Sequence, residues 1–193
     1  MGSDANGLLW RIPAQERLNV YALVIYIPDP LGRFLDDLRR ELAPGCNPHA
    51  HVSVLPPRPL RVNWQAASGQ VQALGADQQP FTVGLGEVRM FPVTNVIYLE
   101  VGPGHAELER MHDSLNGEAL QFQEPFVYHP HVTLAQEIAP DLVQAVHDLA
   151  RRRWQEYQGQ RSFSAERVAF VQNTMGNCWI DLAEVALGEL PVR

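Results

Sequence analysis

The sequence has few of the features that mark a membrane or secreted protein. Its 193 residues contain no apolar run close to the length of about 20 residues that crosses a bilayer. Residues 1–19 show no basic segment followed by an apolar block, so they do not resemble a secretory signal. The two cysteines, Cys46 and Cys178, form no spacing motif. Together these absences predict reduced thiols and a cytoplasmic location, with no membrane partner.

An excess of positive charge is also missing. The chain has 22 acidic and 15 basic side chains, which gives a formal net charge of −7 at pH 7. Broad coating of nucleic acid depends on phosphate neutralisation, so this charge argues against such a protein, and no DNA partner is expected. A local basic pocket could still bind one RNA end or a small phosphate ligand. Residues 27–33 read I-P-D-P-L-G-R, so the G-x-G-x-x-G phosphate loop is absent as well.

Two short segments that lie 80 positions apart are nearly alike. Residues 49–55 read H-A-H-V-S-V-L, and residues 129–135 read H-P-H-V-T-L-A. Successive side chains of a β-strand point to opposite faces, so the valines and leucines would face a core. Each strand would then show imidazole and hydroxyl groups on its other face: His49, His51 and Ser53 in the first segment, and His129, His131 and Thr133 in the second.

The order of predicted elements also repeats. Hydrophobic spacing predicts strand, helix, motif strand, helix and strand in the first half, at residues 18–27, 31–42, 48–55, 64–74 and 81–88, with a proline-rich turn at 56–59. The second half repeats this order at residues 96–101, 108–119, 126–135, a helix opened by Pro140, and closing strands at 162–171 and 179–187. The repeated order and the matching motifs together indicate an internal duplication.

The expected domain organisation follows from this duplication. We expect a flexible leader at residues 1–17 and one two-lobed domain at residues 18–187. Lobe 1 would span about 18–91 and lobe 2 about 95–187. Each lobe is small and no long linker separates them, so they should share a core. A pseudo-twofold axis would bring the two motif strands to opposite sides of one cleft.

Two imidazoles and two hydroxyls around one cleft suit in-line displacement at phosphorus. Histidine titrates near neutral pH, so one imidazole can accept a proton from the attacking oxygen while the other protonates the leaving oxygen. His51 and His131 are the candidates for these roles. Ser53 and Thr133 would donate hydrogen bonds to the phosphate oxygens. This scheme requires no metal ion and no other cofactor.

Residues 51–54 and 131–134 resemble the paired H-x-[S/T]-x signature of the 2H phosphoesterase superfamily. The form of the second motif is similar to that of the 2′-5′ RNA ligase-like, or RNA 2′,3′-cyclic phosphodiesterase, branch. This resemblance implies an α+β fold of two duplicated β-α-β-α-β lobes, with mainly antiparallel sheets flanking a central cleft. It also implies a metal-independent phosphodiesterase that acts on 2′,3′-cyclic phosphate ends of RNA or nucleotides, or on 2′-5′ linkages. On this analogy one histidine acts as the acid and the other as the base. The near-symmetric motifs leave the order open, and we take His51 as the acid and His131 as the base as the working expectation.

One position departs from the family pattern. Bacterial relatives often carry an arginine shortly after the second motif, where this chain has Gln136. Arg58 or Arg61, which follow the first motif, could supply the missing cation. Three further residues are candidates for substrate binding at the rim of the site, where they could stack on a base: His49, His129 and Tyr128.

Three other interpretations of the motifs stay open at this stage. The histidines could be satisfied core residues, although two matched motifs make a coincidence a poor explanation. The chain could bind nucleotides or RNA ends without turnover, because a sequence does not show a rate. The third is a metal site formed by both H-x-H pairs. The hydroxyl residues would have no ligand role there, and no H-E-x-x-H motif occurs.

Overall fold

The computed structural model describes residues 12–44 and 49–188. Four helices occur along these residues: α1 (Leu31–Leu42), α2 (Trp64–Asp77), α3 (His105–Leu115) and α4 (Val143–Glu156). The strands are β1 (Arg17–Tyr26), β2 (His51–Arg58), β3 (Phe81–Met90), β4 (Ile97–Val101), β5 (His131–Ala135), β6 (Ser162–Ala165), β7 (Arg167–Thr174) and β8 (Trp179–Ala186). Short 3-10 turns lie at Ala14–Glu16 and Glu118–Leu120.

Helix α1 shows how the apolar spacing becomes structure. Its leucines recur every three or four residues, and the four at positions 31, 35, 38 and 42 are all buried. Such a stripe packs one side of a helix against a core and leaves the charged side in water. The helix therefore has the bounds that the sequence predicts. None of the described helices is both long and apolar enough to cross a membrane.

The strands form two four-stranded sheets, ordered β2-β1-β7-β8 and β5-β4-β3-β6. All the pairs of neighbouring strands in both sheets are antiparallel. This confirms the predicted α+β class with mainly antiparallel sheets. Each motif strand is the edge strand of its sheet, and β2 packs against β5 where the two sheets meet. The fold thus brings the two motifs together.

The last strand of each repeat crosses to the other sheet. β3 closes the first repeat but pairs with β4 and β6, whereas β7, near the end of the chain, pairs with β1. The sheets therefore do not follow the division into residues 18–91 and 95–187. Neither half of the chain completes a sheet by itself. One large core contains residues from all four helices and both sheets, as expected for halves that fold together.

Three predicted boundaries differ from the structure. Strand β5 begins only at His131, because Pro130 has no N–H to donate to a ladder. Strand β2 continues through the predicted turn to Arg58, which edge strands tolerate despite prolines. The single strand predicted at 162–171 is split between β6 and β7, because the chain passes from one sheet to the other at Glu166.

The predicted leader at residues 1–17 is only partly within the described structure. Residues 1–11 lie outside it, as does Cys46. The remaining part is ordered, since Arg17 begins β1 and donates hydrogen bonds to the Ile12 carbonyl oxygen. Glu16 accepts a backbone hydrogen bond from Met175. Residues 12–17 therefore belong to the fold.

The start of α1 requires a glycine at position 32, because the Ile27 carbonyl oxygen lies too close for a side chain. A methyl group at this position would overlap the Ile27 carbonyl oxygen, whereas one at Gly69, in the exposed part of α2, would have no heavy atom within 4 Å. We expect Gly32→Ala to lower the free energy of unfolding by about 1–3 kcal/mol. Gly69→Ala should raise it by up to about 1 kcal/mol. Urea unfolding of both variants measures the difference, and equal effects would contradict the predicted overlap.

Candidate active site

The two motif histidines occupy matching positions in the fold. His51 is the first residue of β2, and His131 is the first residue of β5. In the antiparallel pairs, His51 lies opposite Tyr26 of β1 and His131 lies opposite Glu100 of β4. Because β2 packs against β5, both imidazoles belong to the junction between the sheets.

Both imidazoles are oriented by the same hydrogen bond. The Nδ1 atom of His51 lies 2.6 Å from the His49 carbonyl oxygen, and that of His131 lies 2.6 Å from the His129 carbonyl oxygen. A carbonyl oxygen can only accept, so each Nδ1 atom must carry the hydrogen and donate it. Each Nε2 atom is therefore the one that gains or loses a proton.

Aromatic rings surround both histidines. The ring of Tyr26 meets His51 edge-on at 6.5 Å, and its hydroxyl donates a 2.6 Å hydrogen bond to Asp181. Phe91 and Tyr98 stack on each other at 4.1 Å, with centroids 5.1 and 5.3 Å from His131. These contacts restrict the positions that the two imidazoles can take.

Burial makes both histidines weaker bases than a free imidazole. It is the main cause that lowers the pKa of His51 to about 4, with the charges of Arg39, His49 and His131 acting in the same direction. The bond to the His49 carbonyl opposes this shift. Burial also lowers the pKa of His131. The charge of His131 is a minor further cause of the lowered pKa of His51. Burial therefore favours the neutral form of both imidazoles in the free protein.

The alternation of the motif strands is as the sequence predicts. The residues next to the histidines and hydroxyls are at most 1% exposed: Val52, Val54, Val132 and Leu134. Ser53 and Thr133 follow the histidines by two positions and are partly buried. Each hydroxyl therefore lies on the same strand face as its histidine.

His49 and His129 precede the strands, so they are not part of the alternating face. His49 is exposed and stacks on Tyr26 with the ring centroids 3.7 Å apart. His129 is partly buried, and its ring lies 5.8 Å from His105 and 6.3 Å from His131. Both flank the motif histidines, as expected for residues at the rim.

The four-histidine metal site is not formed. Within residues 12–44 and 49–188, no three or more His, Cys, Asp or Glu side chains are grouped so that they could hold a metal ion. His49 instead packs on the ring of Tyr26.

Known proteins are similar to this chain in sequence. Residues 27–177 match the sequence model of the 2′-5′ RNA ligase superfamily. The chain belongs to this superfamily. It is 25% identical to "Putative phosphoesterase GK0864" of Geobacillus kaustophilus over 127 residues, covering 61% of this chain and 69% of that protein.

Solved structures share the fold of this 2′-5′ RNA ligase superfamily member at low sequence identity. The crystal structure of E. coli LigT complexed with 3′-AMP matches with a TM-score of 0.64 and 16% identity, covering 90% of this chain and 99% of LigT. TT0787 of Thermus thermophilus matches with a TM-score of 0.64 and 16% identity, covering 88% of this chain and 98% of TT0787.

Arg58 does not have the substrate-binding role that the sequence suggests for it. Its side chain is buried and forms an ion pair with Glu124. It also donates hydrogen bonds to the Asn116 side chain at 2.8 Å and to the Leu120 carbonyl oxygen at 3.0 Å. Glu124 contacts His112 at 2.9 Å as well. Arg58 therefore anchors residues 116–124 of this superfamily member against β2.

Arg61 is exposed and lies in the loop after β2. It follows the end of β2 opposite to the end that carries His51. At about 3.3 Å per strand residue, the two ends of β2 are on the order of 20 Å apart. Arg61 therefore follows the part of β2 farthest from His51, and the guanidinium of Arg58 is paired with Glu124.

Tyr128 connects the two motifs and is not a rim residue with a free hydroxyl. Its hydroxyl donates a 2.8 Å hydrogen bond to the backbone carbonyl oxygen of Ser53. Its ring stacks on His112 at 4.0 Å, and burial raises the pKa of the phenol. Because Tyr128 precedes His131 by three positions, this bond links the approach to the second motif with the strand of the first.

The sequence analysis did not identify the residues of other elements that surround the motif histidines. Arg39 of α1 lies on what looks like a solvent-facing side of the helix, yet its charge lowers the pKa of His51. Glu100 and the stacked pair of Phe91 and Tyr98 sit beside His131 because β4 pairs with β5. No spacing pattern marks these residues, since their proximity arises from the tertiary fold.

The assignment of Arg58 can be tested by comparing it with Arg61. Arg58→Ala leaves the carboxylate of Glu124 buried without its guanidinium, and breaking a buried ion pair costs about 3–5 kcal/mol. Arg61→Ala changes an exposed side chain, and its effect should stay within about 0.5 kcal/mol. Chemical unfolding gives both values. A stable Arg58→Ala variant that had lost only substrate affinity would contradict the structural role.

Proposed function

We propose that this protein hydrolyses 2′,3′-cyclic phosphate ends of RNA or nucleotides by acid–base catalysis with His51 and His131. The observation that carries the proposal is the matched pair of imidazoles at the junction of β2 and β5, each with Nδ1 bound to a carbonyl oxygen. Membership of the 2′-5′ RNA ligase superfamily supports phosphoester chemistry. The shared fold with LigT, crystallised with 3′-AMP, is consistent with a ribose phosphate as the ligand.

The surroundings of the two histidines favour opposite roles for them. His51 lies opposite the neutral Tyr26 and feels the positive charge of Arg39, which disfavours its protonated form. The charge of Arg39 is not among the causes that shift the pKa of His131, so the protonated form of His131 is less disfavoured. We therefore assign His51 as the base and His131 as the acid. This order is the opposite of the working expectation from the sequence, whose near-symmetric motifs leave the order open.

The reaction then proceeds as an in-line displacement. Nε2 of His51 accepts a proton from water as the water oxygen forms a bond to phosphorus. The bond from phosphorus to the ribose 3′-oxygen breaks, and the protonated Nε2 of His131 gives its proton to that oxygen. The product is a 2′-phosphate. With a 5′-hydroxyl in place of water as the nucleophile, the same proton transfers and the same loss of the 3′-oxygen would form a 2′-5′ linkage.

Ser53 and Thr133 would stabilise the charge on the phosphate. Each hydroxyl lies two positions after its histidine on the same strand face, so both can point at one bound anion. Donors aimed at the non-bridging oxygens bind them more strongly as negative charge builds up in the transition state. The Tyr128 bond to the Ser53 carbonyl oxygen would hold the first of these donors in position.

Single replacements of the histidines test the proposal. His51→Ala and His131→Ala should each lower kcat for a 2′,3′-cyclic nucleotide by about 100- to 10,000-fold, because each removes one proton transfer. His147→Ala, on α4, is the matched control and should retain the wild-type rate. Rates are measured by separating the 2′- and 3′-phosphate products.

Two outcomes of this experiment would count against the proposal. A near-normal rate in either motif variant would contradict a two-histidine mechanism. Nucleotide binding by the wild-type protein without any turnover would favour a binding protein of the same fold. Circular dichroism of the variants establishes that loss of activity is not loss of structure.

The pH dependence follows from the direction of the two shifts. The base must be neutral, so kcat/KM should rise as the pH increases through the pKa of His51, about 4. The acid must be protonated, so kcat/KM should fall as the pH increases through the pKa of His131, which burial lowers from its usual value. A bell-shaped profile with its maximum on the acid side of neutrality is expected. A maximum on the alkaline side would contradict these protonation states.

A further inference from the structure

A site that binds a phosphate needs positive charge close to the reacting group. Gln136 stands where relatives often carry an arginine. Arg58 is buried in an ion pair with Glu124, and Arg61 lies beyond the far end of β2. A cation on another element could supply this charge.

Helix α1 has one side that faces the start of the first motif strand. The carboxylate of Asp36 accepts a 2.6 Å hydrogen bond from the backbone N–H of Ala50, the residue directly before His51. Arg39 lies three positions after Asp36, so the two side chains are neighbours on the helix surface. The helix also packs against β5, the strand of the second motif. Arg39 is thus one helical turn from the side chain that contacts the first motif, on a helix that also packs against the second motif strand.

The other polar side of α1 is used differently. Glu41 binds Arg153 of α4 at 2.7 Å, and Arg40 forms an exposed ion pair with Asp37. These contacts fix the rotation of the helix about its axis. With its leucines in the core and Glu41 turned to α4, Arg39 borders the core on the opposite side and is partly buried.

We infer that Arg39 is the cation that binds the non-bridging oxygens of the substrate phosphate, in place of the arginine that relatives carry after the second motif. The inference deepens the proposed function and rests on it. A guanidinium suits this role because its planar donors can pair with two oxygens of one phosphate. Ser53 and Thr133 would complete the set of donors around the anion.

Electrostatics at His51 supports this placement. Burial lowers the pKa of His51 most, and the charge of Arg39 is a further cause in the same direction. A positive charge that disfavours a second cation on His51 favours an anion at the same place. Arg89 and Arg167 are poorer candidates, because neither is among the charges that act on His51.

Phosphate binding by the folded protein tests the inference without relying on turnover. We would titrate wild type, Arg39→Gln, Arg39→Lys and Arg40→Gln with inorganic phosphate, and follow the imidazole resonances of His51 and His131 by NMR. Arg39→Gln should raise the phosphate Kd by about 10- to 100-fold, as for loss of one charge-assisted contact. Arg39→Lys should recover part of the affinity, because it keeps the charge. Arg40→Gln, the adjacent matched control, should stay within about twofold of wild type, because exposed ion pairs contribute little.

A second readout separates an electrostatic role from a purely structural one. Removing the charge in Arg39→Gln should raise the pKa of His51 in the free protein, whereas Arg39→Lys should leave it low. The inference is overturned if Arg39→Gln binds phosphate like wild type, if Arg40→Gln loses as much affinity, or if wild type binds no phosphate. Arg39-dependent phosphate binding without hydrolysis would instead count against the proposed function alone.

Discussion

The packing of β2 against β5 is the constraint on which the site depends. These strands are the edges of two separate sheets, so their separation is set by side-chain packing rather than by a shared hydrogen-bond ladder. Val52 and Val132 are fully buried behind the histidines, and Tyr128 ties the second motif to the backbone of Ser53. The crossing of β3 and β7 between the sheets holds both halves in one core, which keeps the two imidazoles at a fixed distance.

The duplication places two histidines at equivalent positions in the fold, whereas the proposed acid–base catalysis needs one to give a proton and the other to accept one. The motifs themselves are symmetric, since both Nδ1 atoms contact a carbonyl oxygen at 2.6 Å. The asymmetry comes from residues outside them, since the charge of Arg39 lowers the pKa of His51 but is not among the causes that shift the pKa of His131. The proton affinities of the two histidines in this symmetric fold therefore differ because of single residues on neighbouring elements. This is why the motif sequences alone do not reveal which histidine is the acid.

The sequence predicts the local features of the fold better than its pairing. The alternation in both motifs and the bounds of α1 were predicted correctly, because periodicity reports which side of an element is buried. The sequence does not predict the strand partners of β3 and β7, because periodicity does not reveal which strand lies alongside another. Arg58 looked like a ligand for phosphate because it follows a motif. Its burial with Glu124 depends on a segment about 60 residues later, which no local pattern shows.

Proton uptake and anion binding are coupled in a site of this kind. Burial favours the neutral form of both imidazoles in the free protein. A bound phosphate anion favours those charged forms, so binding it must raise the pKa of each histidine. By linkage, protonation must in turn tighten phosphate binding by the same factor. A product that carries more negative charge than the cyclic substrate then benefits most from protonated histidines. In the proposed mechanism His51 gains a proton while His131 loses one, so the pair holds the same number of protons before and after the displacement. His51 must then lose its proton and His131 must regain one before the next turnover.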